Sequence, residues 1–391
     1  MQPFVFQNPV KVIFGPDRLG ELPQTLRAFG SRVLLVYGGG SIKRTGLYTR
    51  VTQGLAQASL ALFELSGIAP NPRIDSVREG ARLCKEHQID VVLAVGGGST
   101  IDAAKWICAG ACDTCDPWEF IDHAHPRPVK AALPLVTVLT VAATGSEMDN
   151  GGVISNPETS EKFGMKSDWI YPRVSFLDPT LTYTVNAYQT ACGAVDIMSH
   201  VMETYFAPDE TMYFLDGVME SIMRTVVRFA PVALRDPENY EARANLMWAS
   251  SWAINGFVRA DKSQVWSCHP MEHELSAFYD ITHGLGLAIL TPRWLKYCYT
   301  EAVALKYAQF AVNVFGLDAK RPAKTLADEA IASLERFFFV TLGLKRTLTE
   351  AGIDEKNFAR MAEKACAPSG SIEGFRVLRP ADVEAIYRMC L

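Results

Sequence analysis

Residues 91–95, Val-Val-Leu-Ala-Val, run without a break into Gly96-Gly97-Gly98-Ser99-Thr100-Ile101-Asp102. A short, wholly apolar run rich in valine has the pattern of a strand buried on both faces, as in a parallel sheet. Glycines directly after it let the backbone turn tightly and approach a ligand. A helix opening there would present its unpaired N–H groups to an anion. Strand, glycine turn and helix in this order make half of a βαβ unit. The turn is therefore either a phosphate cradle, with Gly96, Gly97, Gly98, Ser99 and Asp102 as its candidate residues, or a tight connection with no ligand. Ser99 and Asp102 have the spacing of an N-terminal capping pair.

The same alternation extends through the first 185 residues. Strand candidates lie at 11–14, 33–37 and 135–140, with amphipathic stretches at 76–87 and 100–109 between them. Such alternation predicts a doubly wound sheet with helices on its faces. Pro70-Asn71-Pro72 reads as a turn, and Leu177-Asp178-Pro179 as the end of this half. From Asn186 onward strand signals fade. Long helices are expected at 189–206, 212–229, 240–255 and 302–314. The expected architecture is an α/β dinucleotide-binding domain over 1–185, with a parallel sheet and flanking helices. An all-α domain over 186–391 follows it, with a cleft between the two.

A chain of 391 residues exceeds what one core usually supports, which agrees with two domains. Its hydrophobic fraction is 49% and its charged fraction 21%, ample for globular cores. A net charge of −5 without a basic arm argues against nucleic acid as a partner. The opening MQPFVFQNPVKVIFG lacks the pattern of a secretory signal, and the longest apolar run, AALPLVTVLTVAA, is too short to span a bilayer. A soluble cytoplasmic protein with no membrane partner is expected. Nine cysteines, an odd number, are expected to be mostly buried thiols, and Cys112 and Cys115 form a lone CxxC.

Two further loops follow predicted strands. After 33–37 come Gly38, Gly39, Gly40 and Ser41, then Ile42, Lys43 and Arg44. Sites that select NAD often carry an acid at such a point, to bind the adenosine ribose. Here no acid follows, and two cations lie close by, which favours a ribose bearing a 2′-phosphate. The competing reading makes Lys43 and Arg44 solvated surface charges. After 135–140 come Thr140 and then Ala143-Thr144-Gly145-Ser146-Glu147, where the hydroxyls of Thr144 and Ser146 are further candidates for the same phosphates.

The second half concentrates four of the seven histidines, His200, His269, His273 and His283. Asp196 and His200 are four apart, as are His269 and His273, so on helices each pair shares a face. Asp196, His200, His269 and His283 together make one carboxylate and three imidazoles, a ligand set suited to Zn²⁺ or Fe²⁺. Singly, each has a structural reading as a buried, satisfied side chain or a turn cap. Trp252, Phe257 and Trp266 either line a substrate pocket or pack a core.

These residues resemble the group III, iron-type alcohol dehydrogenases. The resemblance rests on GGGSTIDAAK at 96–105, GIAPNP at 67–72, ATGSE at 143–147, FLDP at 176–179, AVDIMSH at 194–200 and CHPMEHELSAFYDITHG at 268–284. It covers nearly the whole chain in order. Within the family, GGGSIKRTG and DPENYEARANLMWASSWAING look most like the NADPH-dependent butanol dehydrogenase and broad-range aldehyde reductase branch. The resemblance implies a divalent metal held by Asp196, His200, His269 and His283, with His273 beside it as a non-ligand. It implies NADP(H), with Lys162 near the 2′-phosphate, and a homodimer. Pro270, Met271 and Glu272 stand where the family often has small residues. Proline is acceptable in a first helical turn, so a helix is expected to start near His269. Glu272 is read as a surface carboxylate.

The implied chemistry is reversible hydride transfer between NADPH and a small aldehyde or alcohol, with His273 as proton relay. One rival is a zinc- and NAD-dependent polyol dehydrogenase, against which the acid-free basic loop argues. A second is a lyase resembling 3-dehydroquinate synthase, which shares the general architecture but needs more basic residues near the metal motifs. A third is a silent binding protein with a structural metal.

Overall fold

The structure is a computed structural model describing residues 3–123, 126–207, 212–259, 266–367 and 369–391. The chain divides into two compact units, Gln7–Val185 and Asn186–Leu391, and the residues up to Phe6 group with the second.

The first unit is built on a six-stranded sheet. Its strands are β1 (Lys11–Phe14), β2 (Arg32–Tyr37), β3 (Ala61–Leu65), β4 (Val91–Gly96), β5 (Leu135–Leu139) and, after a hairpin of β6 (Gly151–Asn156) and β7 (Glu161–Lys166), β8 (Val174–Leu177). The order is β1-β8-β5-β4-β2-β3, all parallel. Helices α1 (Leu22–Arg27), α2 (Ser41–Arg44), α3 (Leu47–Gln57), α4 (Ile74–Glu86) and α5 (Gly98–Ala111) make the crossovers. Every residue of β4 and β5 is buried, as expected for central strands covered on both faces. Leu26, Val33, Leu35, Leu55, Val91, Leu93 and Val136 form part of one continuous core. β5, β4 and β2 are neighbours, so the three loops identified in the sequence lie side by side at the carboxyl ends of adjacent strands. That edge is where open α/β sheets take ligands.

Three details differ from the sequence reading. Helix α5 begins at Gly98, with Gly97 as an extended N-cap that makes no side-chain cap. Ser99 and Asp102 do not form a capping pair. The Ser99 hydroxyl donates instead to the Pro70 carbonyl, and Asp102 accepts from Ser146 and from the Val153 N–H. Both side chains found tertiary partners better placed than the helix's own amides. Strand β3 was not read because Ala61-Leu62-Phe63-Glu64-Leu65 has no β-branched residue and exposes Ala61 and Glu64 at the sheet edge.

The second unit is helical: α6 (Ala187–Tyr205), α7 (Tyr213–Arg235), α8 (Tyr240–Ile254), α9 (Cys268–Tyr279), α10 (His283–Cys298), α11 (Ala304–Phe315), α12 (Ala323–Glu335), α13 (Phe358–Ala365) and α14 (Pro380–Met389). Helix α6 is buried around its whole circumference from Thr190 to Tyr205, which makes it the central helix of the unit. It lies against α7, α8 and α10. Helix α10 starts at close range: a Cβ at Gly284 would fall 2.7 Å from the carbonyl carbon of Cys192. Only glycine fits there.

All nine cysteines are free thiols, seven of them buried, with Cys112 exposed and Cys115 partly so. Among the described residues, no helix is long and apolar enough to cross a membrane.

Candidate active site

Helix α6 places Asp196 and His200 one turn apart on a single face, and both are buried. The Oδ1 of Asp196 lies 3.7 Å from the Nε2 of His200. Helix α9 supplies His269, whose ring stacks on that of His200 with centroids 4.9 Å apart. One atom from each of Asp196, His200 and His269 can be chosen so that all three lie within 4.8 Å of one another. His283 opens α10 and directs its Nε2 to 3.5 Å from Asp196 Oδ1. Two ligands of one tetrahedral ion at ordinary bond lengths are about 3.4 Å apart. Asp196, His200 and His269 therefore converge at ligand spacing, and His283, the fourth residue named from the sequence, lies at that spacing from Asp196.

The donor atoms suit a cation. Burial, reinforced by His269, His283 and Arg259, holds the His200 imidazole well below its ordinary pKa, so the ring is neutral and keeps a lone pair. His269 donates its Nδ1–H to Glu203 Oε1 at 3.0 Å. That fixes the tautomer with the lone pair on Nε2, an atom that is buried and has no hydrogen-bond partner among the described residues. An apolar pocket would not orphan that atom. A borderline divalent metal fits this set, with Asp196, His200, His269 and His283 as the residues that would hold it.

Glu203 was not singled out in the sequence. It lies roughly two turns beyond Asp196, on the same face of α6. Its carboxylate also accepts the N–H groups of Ser267 at 2.5 Å, and of Cys268 and His269 at 2.7 Å each. These are the first amides of α9, which have no partner within their own helix. The negative charge is well placed at that helix end. Pro270 falls in the same first turn, where no N–H is needed.

Glu272 corrects the sequence reading. It is fully buried, not on the surface. Its carboxylate accepts the Nδ1–H of His283 and, at 2.5 Å, the hydroxyl of Ser276. His269, Glu272, His273 and Ser276 are spaced three and four apart, so one face of α9 carries all of them. His273 is partly buried, its ring centroid 5.9 Å from that of His283 and 6.3 Å from that of His269. Of the three aromatic candidates, Trp266 touches the histidines, its ring centroid 4.6 Å from that of His269, with the Arg259 guanidinium 3.6 Å from the Trp266 ring centroid. Trp252 and Phe257 pack instead with Trp248, Phe214 and Phe6.

The nucleotide candidates all lie in the first unit. Gly96 and Gly98 are steric necessities: a Cβ at Gly96 would meet Thr100 Cβ at 2.7 Å, and one at Gly98 would meet Thr144 Cβ at 2.8 Å. Gly97 and Gly38 are also closely packed, against Val141 and the Ile68 carbonyl. Thr140 donates its N–H to the Gly96 carbonyl, and Thr144 Oγ1 accepts the Ser146 N–H, so the two loops are tied together. Around Gly39 and Gly40, by contrast, a side chain would meet open space, and Ser41 opens α2 exposed. Pro70-Asn71-Pro72, read only as a turn, joins this group. The loop leading into it bonds to Tyr37 and Gly38, Pro70 accepts from Ser99, and Pro72 accepts from Ser155. Lys162 is buried on β7, directly across from Ser155.

Lys43 is exposed, with its ammonium 5.2 Å from the Tyr37 ring centroid and 4.7 Å from that of Tyr48. Both tyrosines donate to the carboxylate of Glu64, at 2.9 and 2.7 Å. An acid therefore does stand beside the Gly38–Ser41 loop, on β3. The sequence could not show it, because strand order is invisible there.

Comparison with known proteins agrees with this arrangement. Residues 9–179 match the iron-containing alcohol dehydrogenase family, and residues 190–391 match the C-terminal part of the Fe-containing alcohol dehydrogenase family. The chain is 46% identical to NADH-dependent butanol dehydrogenase A of Clostridium acetobutylicum, over 100% of this chain and 99% of that one. It is 36% identical to the NADPH-dependent aldehyde reductase YqhD of Escherichia coli, over 93% of each. The crystal structure of NADH-dependent butanol dehydrogenase A from Thermotoga maritima superposes with a TM-score of 0.94 at 36% identity, over 100% of this chain and 99% of that one. The loops, the buried ligand set and these likenesses lead to one conclusion: the chain belongs to the iron-containing alcohol dehydrogenase family.

Proposed function

We propose that this protein is a metal-dependent aldehyde reductase and alcohol dehydrogenase that interconverts small aldehydes and primary alcohols, with NADPH as its preferred nucleotide. The observation that carries the reading is the convergence of Asp196, His200 and His269 at ligand spacing, with His283 at that spacing from Asp196. A bound divalent ion, Fe²⁺ or Zn²⁺, would supply Lewis acidity toward the carbonyl oxygen. Bound NADPH would supply the hydride, and one proton must reach the oxygen for aldehyde, NADPH and H⁺ to become alcohol and NADP⁺. His273, on the same face of α9 as His269, is assigned the proton. Asp196 and the three histidines have no proton task, since they serve as donors to the cation.

NADPH is supported by the open space around Gly39 and Gly40 and by Lys162 beside the loop cluster. A second reading, NADH, is favoured by Glu64 beside that loop and by the names of several butanol dehydrogenases 42–46% identical to this chain. A cytoplasmic homodimer is part of the same proposal. The polyol dehydrogenase and lyase alternatives gain nothing from these likenesses.

The deciding experiment follows nucleotide oxidation with butanal, using NADPH and NADH in parallel, before and after chelation and metal add-back. Turnover that is abolished by chelation and restored by Zn²⁺ or Fe²⁺ is expected, with the larger kcat/KM for NADPH. A larger value for NADH would overturn the nucleotide assignment. Absence of turnover with either nucleotide in metal-loaded protein would overturn the activity.

A further inference from the structure

The three histidines of the metal site are held in two different ways. His269 is anchored through Nδ1 to Glu203, and His283 through Nδ1 to Glu272. The Nδ1 of His200 is buried and has no hydrogen-bond partner among the described residues. His200 has little need of one, since it is buried in the middle of the central helix. His283 is in the opposite position. It stands at the first turn of its helix, and its side chain keeps 24% of its exposure, against 7% or less for the other three ligands. A neutral imidazole in that position can rotate, or can place its proton on the nitrogen that must carry the lone pair. Water can also compete for its place.

We infer that Glu272 is the positioning residue of this metal site, holding His283 with its Nε2 lone pair toward Asp196, and that it sets the affinity for the ion. The inference rests on the metal reading above. Glu272 is suited to the task because it is buried on α9 between the two histidine-bearing helix segments. Ser276 donates to one of its oxygens, and the other accepts a hydrogen bond from the His283 Nδ1–H. A charged acceptor on Nδ1 also makes Nε2 a stronger donor. Helix α10 is shaped to admit this carboxylate. A Cβ at Gly286, one turn into α10, would fall 2.8 Å from Glu272 Cγ and 2.9 Å from its Oε1. Glycine inside a helix is destabilising relative to alanine. Room for Glu272 is a physical reason for it here. Glu203 is the less separable of the two acids, because it also holds the first turn of α9.

Two substitutions separate position from folding. Glu272→Gln removes the charge at constant size, and Gly286→Ala leaves the carboxylate intact but displaces it. The apo forms of wild type and both variants would be compared by thermal unfolding. Affinities for Zn²⁺ and Co²⁺ would be measured by competition with a chromophoric chelator, with the visible spectrum of the Co²⁺ form as a signature of the ligand field. Loss of such an outer partner typically weakens metal binding 10–100-fold. We expect at least a tenfold loss for Glu272→Gln, an altered Co²⁺ spectrum, and the same direction of change for Gly286→Ala. Should Glu272→Gln fail to fold, Gly286→Ala decides alone. Affinities within threefold of a metal-binding wild type would overturn the inference and leave the metal reading standing. A wild type that takes up neither ion would overturn both.

Discussion

Asp102 is a carboxyl group in an expensive place. It is buried, and that burial pushes its pKa up to about 6, although Lys105 and the hydrogen bond from Ser146 pull the other way. An unfolded aspartate titrates near about 3.9. Between roughly pH 4 and 6 the folded chain therefore binds more protons at this position than the unfolded chain, and stability falls as pH rises through that window. Asp102→Asn removes the titration while keeping one acceptor for the Val153 N–H. Urea unfolding of wild type and variant at pH 4, 5 and 6 should give curves whose difference changes steadily in favour of the variant as pH rises. A difference independent of pH would mean that Asp102 is ionised throughout. The same enclosure bears on function: Asp102 holds Ser146 and β6 in place, so its candidacy as a nucleotide residue rests on shaping the loop.

Elements were legible in the sequence where one face or one strand dictated its own composition. The valine-rich β2 and β4, the glycine turns after them and the long apolar α6 all announced themselves, because burial on every side leaves few residue choices. Edge strand β3 and the β6–β7 hairpin did not, since half-exposed strands tolerate ordinary residues. At the site, the Asp196–His200 and His269–His273 spacings were readable, yet the same helical arithmetic already put Glu203 and Glu272 on those faces. They were passed over because a glutamate on a helix is usually solvated, and only tertiary packing shows which one is buried. Glycines divide similarly. Gly39 has open space around it, whereas a Cβ at Gly284 would press into the Cys192 backbone, 2.7 Å from its carbonyl carbon and 2.8 Å from its Cα. Backbone cannot rotate away, so Gly284→Ala must push α10 from α6, one turn from Asp196. Overpacking of this kind costs roughly 1–3 kcal/mol. Chemical denaturation should show a loss in that range for Gly284→Ala and almost none for Gly39→Ala. Equal stability of the two variants would refute the close approach of α6 and α10.

At the scale of the whole molecule, the proposed metal ligands come from one unit alone. Asp196, His200, His269 and His283 all belong to Asn186–Leu391, and the glycine loops belong to Gln7–Val185. Ligand binding to the folded state stabilises whatever must unfold to release the ligand, by about 2.7 kcal/mol at one hundred times the dissociation constant. The two ligands should therefore protect different parts of the chain. Hydrogen exchange read by mass spectrometry can resolve this. Saturating Zn²⁺ added to metal-stripped protein should slow exchange in peptides from α6, α9 and α10, whose amides are fixed by the ligands and by Glu203. NADPH alone should slow exchange in peptides covering 38–44, 67–72 and 96–102. Each unit has its own core, so local protection of this kind is the expected response, not a uniform rise. Metal-induced protection centred on the glycine loops would place the ion somewhere other than among the histidines. Equal protection of both units by either ligand would show that the units open together, and the chain would then have to be treated as a single cooperative body.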